Sequence, residues 1–429
     1  MPVCPKSSLL DHVLVVIRTG ATEVTEKLPI YSKTILRCIP NYVIYSDMEE
    51  DLQGHHIYDV LDQVNDDVKK CAPEFELYEK LRSGGRQGLD YETTFGSGPS
   101  GAMDNPGWKL DKWKFLPMVE RALQHSPDAK WFVFIELDTY MVWQNMLEYL
   151  DKFDASQPYY IGKHMYIGSV LFAHGGSGFV LSYAAADKVS KHWKEHQDEY
   201  EQYTLEEWAG DMILGKVLED VGVDLFWSFP NFQGDSLTTI DWNITKIDRE
   251  PWCYAPTTFH HMITPEFSMV WEFEQNWLRR KQPGASPPCF RDIFKSLVLP
   301  WLRAERSDWD NISTGSALSP AEQEAQSSFE KCQAVCGMKQ KCIQFSYVQG
   351  KCSISNELRL GRAAELQCLE YSNAAGKCIK YETAKSEGDG NPHGESQVRS
   401  GWIMNRVEAY VTKLDQSCDG RPERHEWVI

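Results

Sequence analysis

Glu136 and Asp138 interrupt an apolar run, WFVFIELDTYMVW over residues 131–143, at positions i and i+2. The segment 131–135 is aromatic and β-branched, the composition of a strand buried on both faces. Residues two apart in an extended chain share a face, so both carboxylates point the same way. Two acids at the end of a buried strand are costly unless something compensates them. Either the strand has just emerged into a loop, or a cation sits there. Other residues able to do chemistry are Arg18-Thr19-Gly20, Asp47, the loop Gly175-Gly176-Ser177-Gly178, Asp211, and the pair His260-His261. Carboxylate, imidazole and water together suit a divalent ion such as manganese. Such an ion can neutralise a diphosphate leaving group. A carboxylate elsewhere in the cleft can then take a proton from an attacking hydroxyl. Singly, each signal has a plainer reading. An ExD at a strand end is usually a turn or an N-cap, a His pair a half-buried surface, and the glycine loop a tight turn. Asp211 could be a solvated helix acid among Glu206, Glu207, Glu219 and Asp220.

These residues need elements to hold them. HVLVVIR (12–18) reads as a strand, helix periodicity follows over 22–38, and NYVIYSD (41–47) is a second strand ending in Asp47. That β-α-β opening predicts an α/β domain with a parallel sheet, where ligands bind at the carboxyl ends of strands. Further along, GSGPSGAMDNPG (96–107) is a turn-rich loop, 109–122 a helix, 147–153 a helix, and 159–163 a strand. Residues 208–222 form an amphipathic helix carrying Asp211, and 254–259 offers a strand leading to His260. Trp208 and Trp242 read as core or rim rather than as sugar-stacking platforms.

At 429 residues the chain predicts two or three domains, and 42% apolar residues can build a sizeable core. The balance of 44 basic against 62 acidic residues argues against a general nucleic-acid or anionic-membrane surface, although a local basic pocket for a phosphate-bearing ligand is compatible with it. Of the twelve cysteines, seven lie after residue 330. With the sequons at Asn243 and Asn311, they point to a secretory compartment. No stretch reaches the roughly 18 apolar residues of a membrane span, so a membrane anchor would have to lie N-terminal to this sequence. Residues 305–328 read as a polar connector and 383–401 as a flexible linker, with a final amphipathic helix from 402 and a tail to 429. Cys332 and Cys336 stand one helical turn apart. A nested pairing, Cys332–Cys352 and Cys336–Cys342, would staple that helix to a hairpin. Four cysteines could instead hold zinc, but there is no CxxC and the sequons imply oxidation.

The segment 329–382 resembles a PAN/apple module in its C-x3-C…C-x-x-F-x-Y…C pattern. That resemblance implies a small disulfide-stapled α+β domain that binds carbohydrate or protein. Residues 10–275 resemble the Fringe-like β1,3-glycosyltransferases of glycosyltransferase family 31. The motifs fall in the same order: IRTGATE, YSD, the acidic run before Thr-Tyr, HGGSGFVLS, GDMILGKVLEDVGV and TFHHM. With its C-terminal unit the chain looks most like fungal members. The resemblance implies a GT-A domain over 1–304, Rossmann-like with a mostly parallel sheet. It also implies a UDP-sugar donor, manganese or another divalent ion, a glycan or glycoprotein acceptor, and the Golgi or another secretory lumen. Asp138 and His260 would be the metal ligands and Asp211 the catalytic base of an inverting reaction. Arg18, Thr19, Gly20, Asp47 and Glu136 would line the donor site, and Gly175, Gly176 and Gly178 would let the backbone approach the sugars. Two departures stand out. Leu137 replaces the middle acid of the family's run, and Gly210 stands where the family often has an acid. The competing reading is a catalytically inactive GT-A scaffold that binds through its PAN-like module. A glycoside hydrolase fits poorly, because its acids face each other across a cleft.

Overall fold

The computed structural model describes residues 1–89, 105–282, 284–315, 320–348, 351–364, 366–372, 377–383, 398–419 and 426–429. The expected linker over 383–401 and loop over 96–107 lie largely outside these. In chain order the strands of the first part are β1 (Val13–Arg18), β2 (Tyr42–Ser46), β3 (Glu50–Leu52), β4 (His55–Asp59), β5 (Trp131–Glu136) and β6 (Tyr140–Met141). They continue with β7 (Tyr160–Gly162), β8 (His164–Ile167), β9 (Val170–Ala173), β10 (Phe179–Ser182), β11 (Leu225–Trp227) and β12 (Thr258–Phe259). Eight of them form one sheet in the order β11-β7-β10-β5-β1-β2-β4-β3. Strands β5, β1, β2 and β4 run parallel, while β10 is antiparallel to both of its neighbours. This is the expected α/β architecture of GT-A type, with a central, mostly parallel sheet.

The central strands are apolar on both faces because both faces are covered. Leu14, Val16, Phe132 and Phe134 share one core cluster with Met118, Val119, Ala185 and Val189, which come from helices Phe115–His125 and Tyr183–Glu195. Val13, Val15 and Ile17 alternate onto the other face and are equally buried. The β1–β5 register pairs Arg18 with Glu136, so opposite charges meet where both strands end. The helix expected over 22–38 runs Val24–Lys33, and that expected over 109–122 is split into a short α-helix Pro106–Leu110, a 3-10 segment Asp111–Lys114 and the helix Phe115–His125.

The chain divides into two compact units. One comprises Met1–Gly234, Ala255–Pro287 and Trp427–Ile429; the other comprises Asp235–Tyr254 and Pro288–Glu426. In the second, strands Arg306–Ser307, Val398–Trp402, Gln344–Val348 and Lys351–Ser355 form an antiparallel sheet in that order. Helix Phe329–Met338 is capped by Ser328 and tied to the hairpin by disulfides Cys332–Cys352 and Cys336–Cys342, the nested pairing. With those sulfurs bonded, zinc has no ligands there. Two further disulfides, Cys4–Cys38 and Cys253–Cys418, have no spacing signature in the sequence. The Asn311 sequon is not usable in the folded chain, since its fully buried amide donates to the carbonyls of Phe345 and Gly401. Trp242 is core, packed against Phe290 and Phe294. Among the described residues no helix is long and apolar enough to cross a membrane.

Candidate active site

The acidic turn is built by β5 ending at Glu136 and the chain folding back into β6. Thr139 N–H donates to the Glu136 carbonyl at 3.0 Å, and the Thr139 hydroxyl donates to the Gly176 carbonyl at 2.7 Å. The Tyr31 hydroxyl donates to the Glu136 carbonyl at 2.6 Å and also lies against that of Thr139. This network fixes which way each acid faces. Glu136 and Asp138 turn toward a cavity of about 300 Å³, whereas Leu137 is buried in the core. The departure from the family's acidic run therefore places an apolar side chain in the interior, away from that cavity.

His260 arrives by strand pairing. Antiparallel β12 lies on β6, with Phe259 opposite Tyr140, and Met262 N–H donates to the Asp138 carbonyl at 2.9 Å. His261 adopts a left-handed φ of +56°, a sparsely populated conformation for a side-chain-bearing residue. The reversal stacks the two rings with centroids 3.7 Å apart. Asp138 and His260 are only 5% and 4% exposed, and Asp138, His260 and His261 each offer a ligand atom within 4.8 Å of the others. Asp138 Oδ1 lies 3.3 Å from His260 Nε2, without hydrogen-bond geometry. This oxygen and His260 Nδ1 are buried without hydrogen-bond partners among the described residues. A buried carboxylate oxygen that makes no hydrogen bond and faces two imidazoles is what a divalent cation would satisfy, so the donor set fits a metal.

The electrostatics are those of a dense charge cluster. Burial alone would lower the His260 pKa, but Asp138 and Glu136 outweigh it and push it up to about 9. Burial would raise Asp138, yet Lys27 and His260 hold it well below the usual carboxylate range. Lys27, absent from the sequence-based site, lies 3.2 Å from Asp138 Oδ2 and 2.7 Å from Glu23. Its i,i+4 spacing from Glu23 on the first helix was the one available signal. Glu136 pairs with Arg18, which also pairs with Asp111 and lies over the Phe115 ring at 4.2 Å. Lys114, fully buried, donates to the Thr19 carbonyl at 2.7 Å and pairs with Asp47 at 3.1 Å. Asp47 and Thr19 thus stand behind the cavity wall that Gly20 and Lys114 form.

Asp211 opens helix Gly210–Asp220 and faces the same cavity. Its carboxylate accepts from Gly175 N–H at 2.8 Å and Met212 N–H at 2.9 Å. Burial raises its pKa to about 6 against the pull of those donors and of Arg18. Two glycines are dictated by crowding. A Cβ on Gly176 would come within 2.2 Å of the His260 ring, and one on Gly210 within 2.3 Å of the Phe115 ring. The second contact gives a packing reason for glycine where the family often has an acid. Gly175 and Gly178 flank Gly176 in the turn that leads into β10.

A family model described as Fringe-like matches residues 8–233, more than half of the chain. The chain belongs to the Fringe-like family. Membership makes it a glycosyltransferase. The Fringe-like match spans β1 to β11 and includes Glu136, Asp138 and Asp211. It stops before β12, so both histidines reach the Fringe-like core from chain beyond the matched segment.

Proposed function

We propose that this chain is an inverting, metal-dependent glycosyltransferase that moves a sugar from a UDP-sugar to a hydroxyl of a glycan or glycoprotein, forming a β1,3 linkage. The observation that carries the reading is the convergence, on one cavity of a Fringe-like domain, of a buried Asp–His pair with unsatisfied atoms and a separate carboxylate of raised pKa. A divalent ion such as manganese, held by Asp138 and His260 with His261 beside them, would offset the charge of the departing diphosphate. Arg18 and Lys114 are the basic residues nearest the nucleotide on the wall, each already paired with acids, Arg18 with Glu136 and Asp111 and Lys114 with Asp47, and Gly20 leaves room for the nucleotide at the end of β1. Asp211 takes the proton of the acceptor hydroxyl while its oxygen attacks the anomeric carbon. The bond from that carbon to the diphosphate oxygen breaks on the opposite face, releasing UDP. The mixed carboxylate and imidazole donors are compatible with manganese or another divalent cation. The four disulfides among the described residues support a secretory lumen such as the Golgi. The stapled helix and hairpin over 329–355 support a PAN/apple-like binding module.

The Lys27–Asp138 ion pair favours a second reading, an inactive scaffold whose metal carboxylate is neutralised internally. Calorimetric titration with UDP, with and without manganese, separates the two. The transferase reading expects metal-dependent binding that Asp138→Ala abolishes; metal-independent binding, or none, sinks it.

A further inference from the structure

Trp208 is 53% exposed at the rim of the cavity that holds Asp211, three residues before it. It sits in the extended break between helices Gln197–Glu206 and Gly210–Asp220. Trp108 faces it from the short helix Pro106–Leu110, which Asn105 caps through bonds to Gly107 and Trp108 N–H. The two indoles are stacked, with centroids 6.0 Å apart and planes 19° from parallel. Both rings line the catalytic cavity and also a neighbouring one of about 530 Å³. Polar and packing contacts hold the segments around them. Lys112 pairs with Glu74 at 2.6 Å and donates to the Glu207 carbonyl at 3.0 Å, and Gly210 packs on Phe115. Lys112 therefore ties down the backbone just before Trp208, and its charge is already matched.

A large aromatic surface left in solvent beside a catalytic cleft is unspent binding area. Trp208 stands three residues before Asp211 and lines the same cavity, which groups it with the carboxylate that meets the acceptor. A pyranose is amphipathic in a matching way. Hydroxyls ring its edge, while several C–H bonds gathered on one face present a slightly positive surface to the negative π-face of an indole. We infer that Trp108 and Trp208 form an acceptor subsite that takes the C–H face of a pyranoside, leaving its edge hydroxyls free to meet Asp211. This inference rests on the transferase reading and deepens it by naming what the acceptor presents. Rings with a contiguous patch of C–H bonds on one face, as in galactosides, fit better than those whose axial hydroxyls interrupt both faces.

Two measurements test it on the full chain. Ligand-observed NMR with methyl β-galactopyranoside reads sugar contact without turnover, and the wild-type signal is expected to fall severalfold in Trp208→Ala and Trp108→Ala. Steady-state transfer to the same glycoside is expected to show an acceptor KM raised about tenfold, as for the loss of one stacking face. Donor KM should move less than about twofold, and Trp208→Phe should recover most of the loss. Absence of wild-type NMR contact, contact unchanged in both alanine variants, or equal losses in donor and acceptor KM would each overturn the inference. Failure of metal-dependent UDP binding with pyranoside contact retained would instead overturn the transferase reading and leave a sugar-binding surface.

Discussion

If Asp211 is the base, its buried position sets the acid limb of the pH profile. Burial raises its pKa from 3.8 to about 6, outweighing two backbone N–H donors and Arg18. Transfer requires the carboxylate form, so the rate rises with pH through that value. With a pKa near 6, roughly nine tenths of the base is ionised at pH 7 and roughly one tenth at pH 5, a fall of about tenfold. An unshifted aspartate would stay more than about nine tenths ionised at pH 5, and the rate would scarcely change. The assay is initial-rate UDP release at saturating metal and donor, in overlapping buffers of constant ionic strength. Asp211→Asn should lower transfer by about a hundredfold to ten-thousandfold at every pH. Stability moves the opposite way. A folded-state pKa above the unfolded one means the fold holds that proton more tightly, so ionisation costs stability as pH rises through about 6. Asparagine removes a penalty of about 1–3 kcal/mol, so at pH 7.5 the variant should melt no lower than wild type; its advantage should shrink to roughly half at pH 5 and vanish only below the unfolded-state value of about 4. A flat rate profile down to pH 5, or a variant keeping a tenth of the activity, would refute the assignment of the base.

Three other outcomes follow from the same geometry. Gly176→Ala places a methyl within 2.2 Å of the His260 ring, so metal-dependent UDP affinity should fall at least about tenfold in calorimetry while far-UV circular dichroism stays native. Lys27→Met frees Asp138 from its ammonium partner; manganese should then bind several-fold more tightly if the two cations compete, and unchanged affinity would show that Lys27 swings clear when the metal enters. Replacing both Cys332 and Cys352 with alanine removes a link across 20 residues of separation, which should cost about 3 kcal/mol in the denaturant unfolding of the second unit.

The strand β5 and the acids at its end were legible because a doubly buried strand has a composition of its own, and acids after it break the pattern. The same holds for β1, β2 and the helix of Asp211, each marked by periodicity. The nested disulfides of the helix and hairpin were readable because helix spacing puts Cys332 and Cys336 on one face. What spacing could not supply was side-chain direction. Glu136 and Asp138 share a face by alternation, yet their ion-pair partners differ, Arg18 for one and Lys27 for the other, because each partner comes from a different element. Cys4–Cys38 and Cys253–Cys418 join segments that become neighbours only on folding. Trp208 and Trp242 have equal standing in the sequence. One is exposed at the rim of the cavity and the other buried in a core, because only packing decides which aromatic faces are covered. By itself the sequence determined the fold class, the Fringe-like order of motifs and the residue types offered to the cleft. The tertiary structure decided their partners, since His260 reaches Asp138 through the pairing of β12 with β6, a long-range register that no local pattern encodes.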